Sequence, residues 1–257
     1  AVQLGAEDAP GPLIALEPGA DGVWAVFTRA ASAGTTYRFA VTGPDGVTRL
    51  HSDPRALRVA LRPSACAIVC APETYAWSDD GWLERRARTT ARREPLSIYE
   101  LHLGTWRRDP TDPGRELDYA TLAPLLAGHV AELGFTHVEL MPLTAHPFPG
   151  SWGYQSTGYF APDPRHGDPD GLRLLIDTLH GHGIGVLLDW VPGHFSPDDW
   201  ALADFDGTPT YEHSGPSCRS RFGARVFDLG RRQVRDFLLG SARMWLTGYH
   251  VDGLRVD

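Results

Sequence analysis

From Leu96 onward, short apolar runs alternate with stretches of helical periodicity, and this rhythm constrains the fold more than any other feature of the chain. Ile98 to Leu103 reads as a first strand. Tyr119 to Leu133 sets Leu122, Leu125, Leu126, His129, Val130 and Leu133 at helical spacings, and Gly134 stops the helix. Phe135 to Leu140 predicts a second strand ended by Pro142, Pro169 to His182 a helix, and Gly185 to Trp190 a fully apolar third strand. A helix from about Arg231 to Leu246 and a fourth strand starting at Gly253 complete the series. Apolar strands separated by helices predict parallel β/α units with both sheet faces covered. The loops separate the two remaining architectures, an open doubly wound sheet and part of a (β/α)8 barrel. Strand-to-helix connections (141–168 and 190–230) are long and rich in Gly, Trp, Tyr, His and Asp, whereas helix-to-strand connections are brief. That asymmetry predicts the barrel, whose active site is built from loops at the C-terminal ends of the strands. No G-x-G-x-x-G follows a strand, so a dinucleotide fold loses its main support.

Before this region the pattern differs. Up to about Ala76, Val/Ile/Phe/Tyr runs such as Gly22 to Phe27 and Thr36 to Val41 alternate with turn signals such as Gly43-Pro44-Asp45-Gly46, which predicts antiparallel strands and hairpins. A charged segment follows from Ser78 to Pro95. The expected organisation is therefore a β module over 1–77, a linker over 78–95 and β/α units over 96–257.

Composition excludes several chemistries. All 24 basic residues are Arg, with no Lys and no Asn in the chain. Schiff-base catalysis, a Walker-type phosphate loop and a Cys-His-Asn triad are thereby removed. The net charge of -8 and the lack of long basic runs argue against a nucleic-acid groove. The densest basic stretch, Arg85 to Arg93, lies in the expected linker. Three cysteines cannot all pair, and Cys66 and Cys70 in an extended run would sit roughly 13 Å apart, so a reduced, cytoplasmic protein is expected. No apolar stretch has a membrane-spanning length, so no membrane partner is expected. The chain also does not begin with Met.

Candidate chemistry collects at the predicted strand ends. Asp189 ends a buried apolar strand, a costly place for a carboxylate without partners, and His194 lies five residues on. A satisfied Asp beside a solvated His is the plain alternative. Arg255 and Asp257, two apart on the fourth strand, face one side. A cation there holds a carboxylate ionised, as a glycosidic nucleophile requires, although a structural ion pair would use the same residues. The loop from Gly150 to Phe160 supplies Trp152, Tyr154 and side-chain donors, the mixture that sugar faces and hydroxyls need, or simply loop packing. His180-Gly181-His182-Gly183 reads as an ordinary helix close, and no compact three-ligand motif predicts a metal. No G-x-S-x-G elbow is present.

Four segments in order carry a family resemblance: Ser151-Trp152-Gly153-Tyr154-Gln155, Asp189 to Phe195, Phe205-Asp206-Gly207-Thr208-Pro209 with Tyr211-Glu212-His213, and Asp252-Gly253-Leu254-Arg255-Val256-Asp257. They resemble the motifs of the α-amylase superfamily and, within it, the 1,4-α-glucan branching enzymes. Val23 to Val69 resembles the β-sandwich carbohydrate-binding module that precedes the barrel in that family. The resemblance implies a β-sandwich followed by the first half of a (β/α)8 barrel, strands one to four. It makes Asp257 the nucleophile and Arg255 its orienting cation. Tyr154, Asp189 and His194 become glucose-binding residues, with Trp152 beside them. It implies α-1,4-glucan (glycogen) as partner, retaining transfer to a 6-hydroxyl, and no cofactor.

The departures from the family pattern also carry expectations. The family's general acid follows the fifth strand and its second aspartate the seventh, so this chain is expected to be a nearly inert fragment, general-acid help being worth about 10²- to 10⁴-fold. The family's Asp-Phe-Asn-Gly-Trp stretch is absent, and Asp228-Leu229-Gly230 stands where Asn-Tyr-Gly is usual. A trehalose-releasing hydrolase, which shares Tyr99-Glu100-Leu101-His102, and a non-catalytic glucan-binding protein are the competing readings.

Overall fold

The computed structural model describes residues 1–72, 75–89, 94–220 and 223–257. Residues 90–93, part of the expected linker and of its basic stretch, lie outside the described residues. The first part of the chain forms an antiparallel sheet from β1 (Val2–Gly5), β2 (Pro10–Ile14), β3 (Thr36–Thr42), β4 (Thr48–His51) and β5 (Ala67–Ile68). Its order is β2-β1-β3-β4, with β5 also on β3. The strand expected over Gly22 to Phe27 shrinks to Trp24–Ala25, paired with Glu17–Pro18. Its apolar side chains lie exposed, Phe27 at 85%, so no packed face holds the run extended. The three cysteines are free.

The expected linker contains a helix, α1 (Asp80–Arg88), seated against the next region. There β6 (Ile98–Leu101), β7 (His137–Leu140), β8 (Gly185–Trp190) and β9 (Gly253–Val256) form a parallel sheet in the order β9-β8-β7-β6. Helices α2 (Tyr119–Leu133), α3 (Pro169–Gly181) and α4 (Arg232–Gly248) connect the strands.

Local chemistry explains these boundaries. Asp118 accepts the Thr121 amide (2.7 Å) at the start of α2, and Gly134 ends it in the left-handed region at φ 75°. Asp168 accepts the Gly171 amide (2.9 Å) at the start of α3, with Pro169 in the first turn.

Alternate residues of the parallel strands have different fates. Val138, Leu140, Val186 and Leu188 are buried in one core with Leu122, Leu126 and Val130 of α2 and Leu172, Leu175 and Leu179 of α3. The intervening Glu100, Glu139, Leu187 and Arg255 are half-buried or exposed. Helical cover on both faces was expected, but the described residues supply it on one. A period of two explains the split, because successive side chains leave a strand on opposite faces.

The N-terminal sheet docks on the long excursion between β8 and α4. The Ser52 amide donates to Trp200 O (2.8 Å), His51 Nδ1 lies 3.1 Å from Ala201 O, and the His51 ring meets Phe205 at 4.7 Å. Inside that excursion Asp206 takes the Thr208 amide and hydroxyl (3.0 and 2.6 Å) and the Thr210 hydroxyl (3.0 Å). Buried Glu212 holds the Asp204 amide at 2.9 Å. The Asp-Gly-Thr-Pro motif is thus a self-capped turn.

Candidate active site

Parallel pairing decides where the carboxylates meet. Asp189 stands opposite Arg255, and the Asp257 amide donates to Trp190 O (3.0 Å), so all three residues come to the C-terminal end of neighbouring strands. Arg255 Nη1 donates to Asp189 Oδ1 and Oδ2 (3.0 and 2.8 Å) and lies 2.8 Å from Asp257 Oδ1. Asp189 is enclosed, with its side chain 1% exposed, while Asp257 retains 32%. One guanidinium therefore bridges a buried carboxylate and an accessible one.

The loop after β7 adds the third component. Thr144–Ala145 pairs with Gly158–Pro162 and closes the loop's base. At its tip Trp152 (φ 53°) and Gly153 (φ 89°) are both left-handed. A Cβ on Gly153 would fall 2.3 Å from Pro142 O, so only glycine fits there. This turn carries Tyr154 over the strand ends, where its hydroxyl donates to Asp189 Oδ2 at 2.6 Å. Burial, and then the bond to Asp189, push the Tyr154 phenol well above its ordinary value, so it remains a donor at neutral pH. The bond to Asp189 likewise raises Arg255, which stays cationic.

Tyr154, Asp189, Arg255 and Asp257 form one hydrogen-bonded cluster, and the other two expected site residues flank it. His194 follows the Val191-Pro192-Gly193 turn in a two-residue strand with Phe195, paired to Arg225–Val226. Its carbonyl accepts from Tyr159 Oη at 2.7 Å. Trp152 is 52% exposed, and its ring stacks on His102 at 5.8 Å. His102 was not singled out as a site residue from sequence. It follows β6, the same strand-end position that marks Asp189 and Asp257, and that position was the available signal. Its Nδ1 lies 3.0 Å from Thr105 Oγ1, and burial, with His166 and Arg165 nearby, lowers its proton affinity. Glu139 was also missed. It pairs with Glu100 across β7 and β6, and burial, then Glu100 and Asp189, raise its carboxyl. No group of three or more His, Cys, Asp or Glu among the described residues is placed to hold a metal ion, and no described helix is long and apolar enough to cross a membrane.

A cationic bridge between two strand-end carboxylates, with a tyrosine hydroxyl on the buried one, suits nucleophilic displacement at a neutral or cationic carbon centre. Residues 128–207 match the family described as alpha amylase, catalytic domain. Over 241 residues, 93% of this chain, the sequence is 51% identical to the 1,4-alpha-glucan branching enzyme GlgB of Nocardia farcinica and 51% identical to that of Rhodococcus jostii. The chain covers 31% and 32% of these two proteins, so it spans about three tenths of the length of the curated relatives it matches. Among solved structures, a putative alpha amylase from Salmonella typhimurium superposes with a TM-score of 0.77 at 27% identity, covering 100% of this chain and 39% of that one. Pullulanase type I from Bacillus subtilis gives 0.75 at 25% identity, again covering 100% of this chain and 39% of that one.

Proposed function

We propose that this chain, a member of the α-amylase superfamily over the residues matched, carries the donor-binding and nucleophilic part of a 1,4-α-glucan branching transglycosylase. The observation that carries the reading is the Arg255 bridge from Asp189 to Asp257, with Tyr154 on the same carboxylate. Asp257 attacks the anomeric carbon and the α-1,4 bond breaks. The departing 4-oxygen takes a proton from a general acid, which in the family follows a fifth strand. A 6-hydroxyl of a second glucan segment then displaces Asp257, returns a proton to that acid, and leaves an α-1,6 branch. Arg255 orients the nucleophile, Asp189, Tyr154 and His194 bind the donor glucose, and Trp152 offers an exposed aromatic face beside it.

In this reading residues 1–77 are a β-sandwich carbohydrate-binding-like module, 78–95 connect, and 96–257 are the first half of a (β/α)8 barrel. The open sheet face supports that last assignment, since a barrel interior is filled by side chains and not by helices. Glycogen is the partner, and the setting is cytoplasmic.

The test uses the protein expressed at the length of its curated relatives and incubated with amylose. Branching lowers iodine colour with little rise in reducing ends. Reducing ends rising in step with the loss of colour would replace this reading with hydrolysis.

A further inference from the structure

His194 is the expected site residue that neither β8, β9 nor the Tyr154 loop delivers. It stands on the excursion between β8 and α4. A Cβ on the preceding Gly193 would lie 3.9 Å from Asp257 O, so this stretch of backbone borders the rim cluster. A side chain on irregular backbone keeps one place only when the surrounding structure fixes that backbone.

The support is a short ribbon in which residues 225–228 run between two partners. On one side His194 pairs with Val226 and Phe195 with Arg225, and the Phe227 amide donates to Gly193 O (3.3 Å). On the other side the His213 amide donates to Val226 O (3.1 Å) and the Asp228 amide to Tyr211 O (2.8 Å). Side chains directly opposite in an antiparallel pair share a face, and alternate residues of a strand do too. Phe195, Arg225 and Phe227 therefore point inward, and His194 and Val226 point the other way. Phe195 and Phe227 are both buried, with their rings 4.5 Å apart.

Arg225 is the charged member of that inward face, with 13% of its side chain exposed. Its Nη2 donates to Asp204, its Nη1 lies 3.5 Å from Cys218 Sγ, and its Nε stands 3.8 Å from Glu212 Oε1. Glu212 is fully buried, and its oxygens accept the Asp204 amide (2.9 Å) and the Tyr211 amide (3.2 Å). One guanidinium thus ties the ribbon to the Asp204 turn and to the segment at Cys218, and it supplies positive charge beside a buried carboxylate.

Building on the transglycosylase reading, we propose that Arg225 is a positioning residue: by pinning the inward face of the ribbon it fixes the register that turns His194 toward the donor glucose beside Asp257. A slip of one residue would reverse the faces, sending His194 into the core and Phe195 out to the substrate. The charge on the inner face opposes that slip, because Val226 in its place would leave Asp204 and Glu212 without the guanidinium.

The test is a double-mutant cycle in the protein at its relatives' length, with cleavage of α-1,4 bonds in amylose read per folded molecule as kcat/KM. Arg225→Met should lower kcat/KM about tenfold in the parent background and less than about twofold when His194 is already Ala. Arg225→Lys keeps a charge beside Glu212 and loses the fork, so it should show the same pattern with a loss of about threefold. It carries the cycle if the Met variant does not fold. Equal losses in both backgrounds overturn the proposal, because Arg225 would then act on the fold alone. No loss in either background also overturns it, as does a His194→Ala variant as active as the parent. The cycle counts broken bonds whether a hydroxyl or water ends the reaction, so the comparison of iodine colour with reducing ends decides the branching reading separately.

Discussion

The two ends of β8 and β9 solve the same electrostatic problem in opposite ways. At the C-terminal rim a guanidinium bridges Asp189 and Asp257, and the cation and one carboxylate stay open to solvent, at 44% and 32% exposure. At the opposite end an imidazole bridges Asp79 and Asp252, with His180 and Asp79 fully enclosed and Trp82 lying over the ring. An accessible charged group can meet a substrate, whereas an enclosed one can only hold protein to protein. The difference follows the division of labour in β/α folds, where chemistry sits at the C-terminal strand ends and the opposite ends carry stability.

If that division is real, substitutions at the two ends should fail in different measurements. The largest effect is expected for Asp257→Asn in the protein at its relatives' length. Glucan transfer should fall by about 10⁴-fold or more with melting temperature nearly unchanged, read by iodine assay and calorimetry. Loss of folding instead would make Asp257 structural and erase the contrast. Asp252→Ala should do the converse. It strands the Val186 amide, the Trp82 indole and the His180 ring, costing about 3 to 5 kcal/mol in urea unfolding, while the transfer rate per folded molecule holds.

Acid sharpens the same comparison. Asp252 is depressed to about 2 in the folded chain, below its ordinary value of 3.8. Its contribution, roughly 2 kcal/mol, is present above about pH 4 and lost as pH falls toward 2. Unfolding measured between pH 5 and pH 2 should show that loss in the parent chain and not in Asp252→Asn. A smaller effect is expected for Tyr154→Phe. Removing one of the bonds to buried Asp189 should cost about 1 to 2 kcal/mol of stability and about tenfold or more in transfer. Equal activity of Tyr154→Phe would take the tyrosine out of the rim cluster.

Much of the parallel region was legible because its signals are local. Tyr119–Leu133 was expected with both bounds as observed, since Asp118 and Gly134 are adjacent in sequence to the helix they close. Gly185–Trp190 was equally plain from its apolar run. The rim cluster was legible in part. Asp189, Arg255 and Asp257 sit at strand ends that periodicity locates, but the pairing of Asp189 with Tyr154 spans 35 residues of chain, helix α3 among them. The His180 to His182 segment shows the limit. His182 closes its helix as expected, with Nδ1 2.9 Å from Thr178 O, but His180 turns inward to partners 101 and 72 residues away. The segment ahead of Leu96 read as a linker because its charges look solvent-facing until Trp82 and Arg86 are seen to share Asp252.

By itself the sequence determined the alternation of strands and helices, the parallel sheet and the end of that sheet at which acids collect. These depend on side-chain period and on capping within a few residues. The tertiary structure alone decided which carboxylate shares which cation, which face of the sheet stays open and which histidine is enclosed. Those outcomes rest on contacts between residues distant in the chain, and burial then sets the dielectric that makes each charge either reactive or structural.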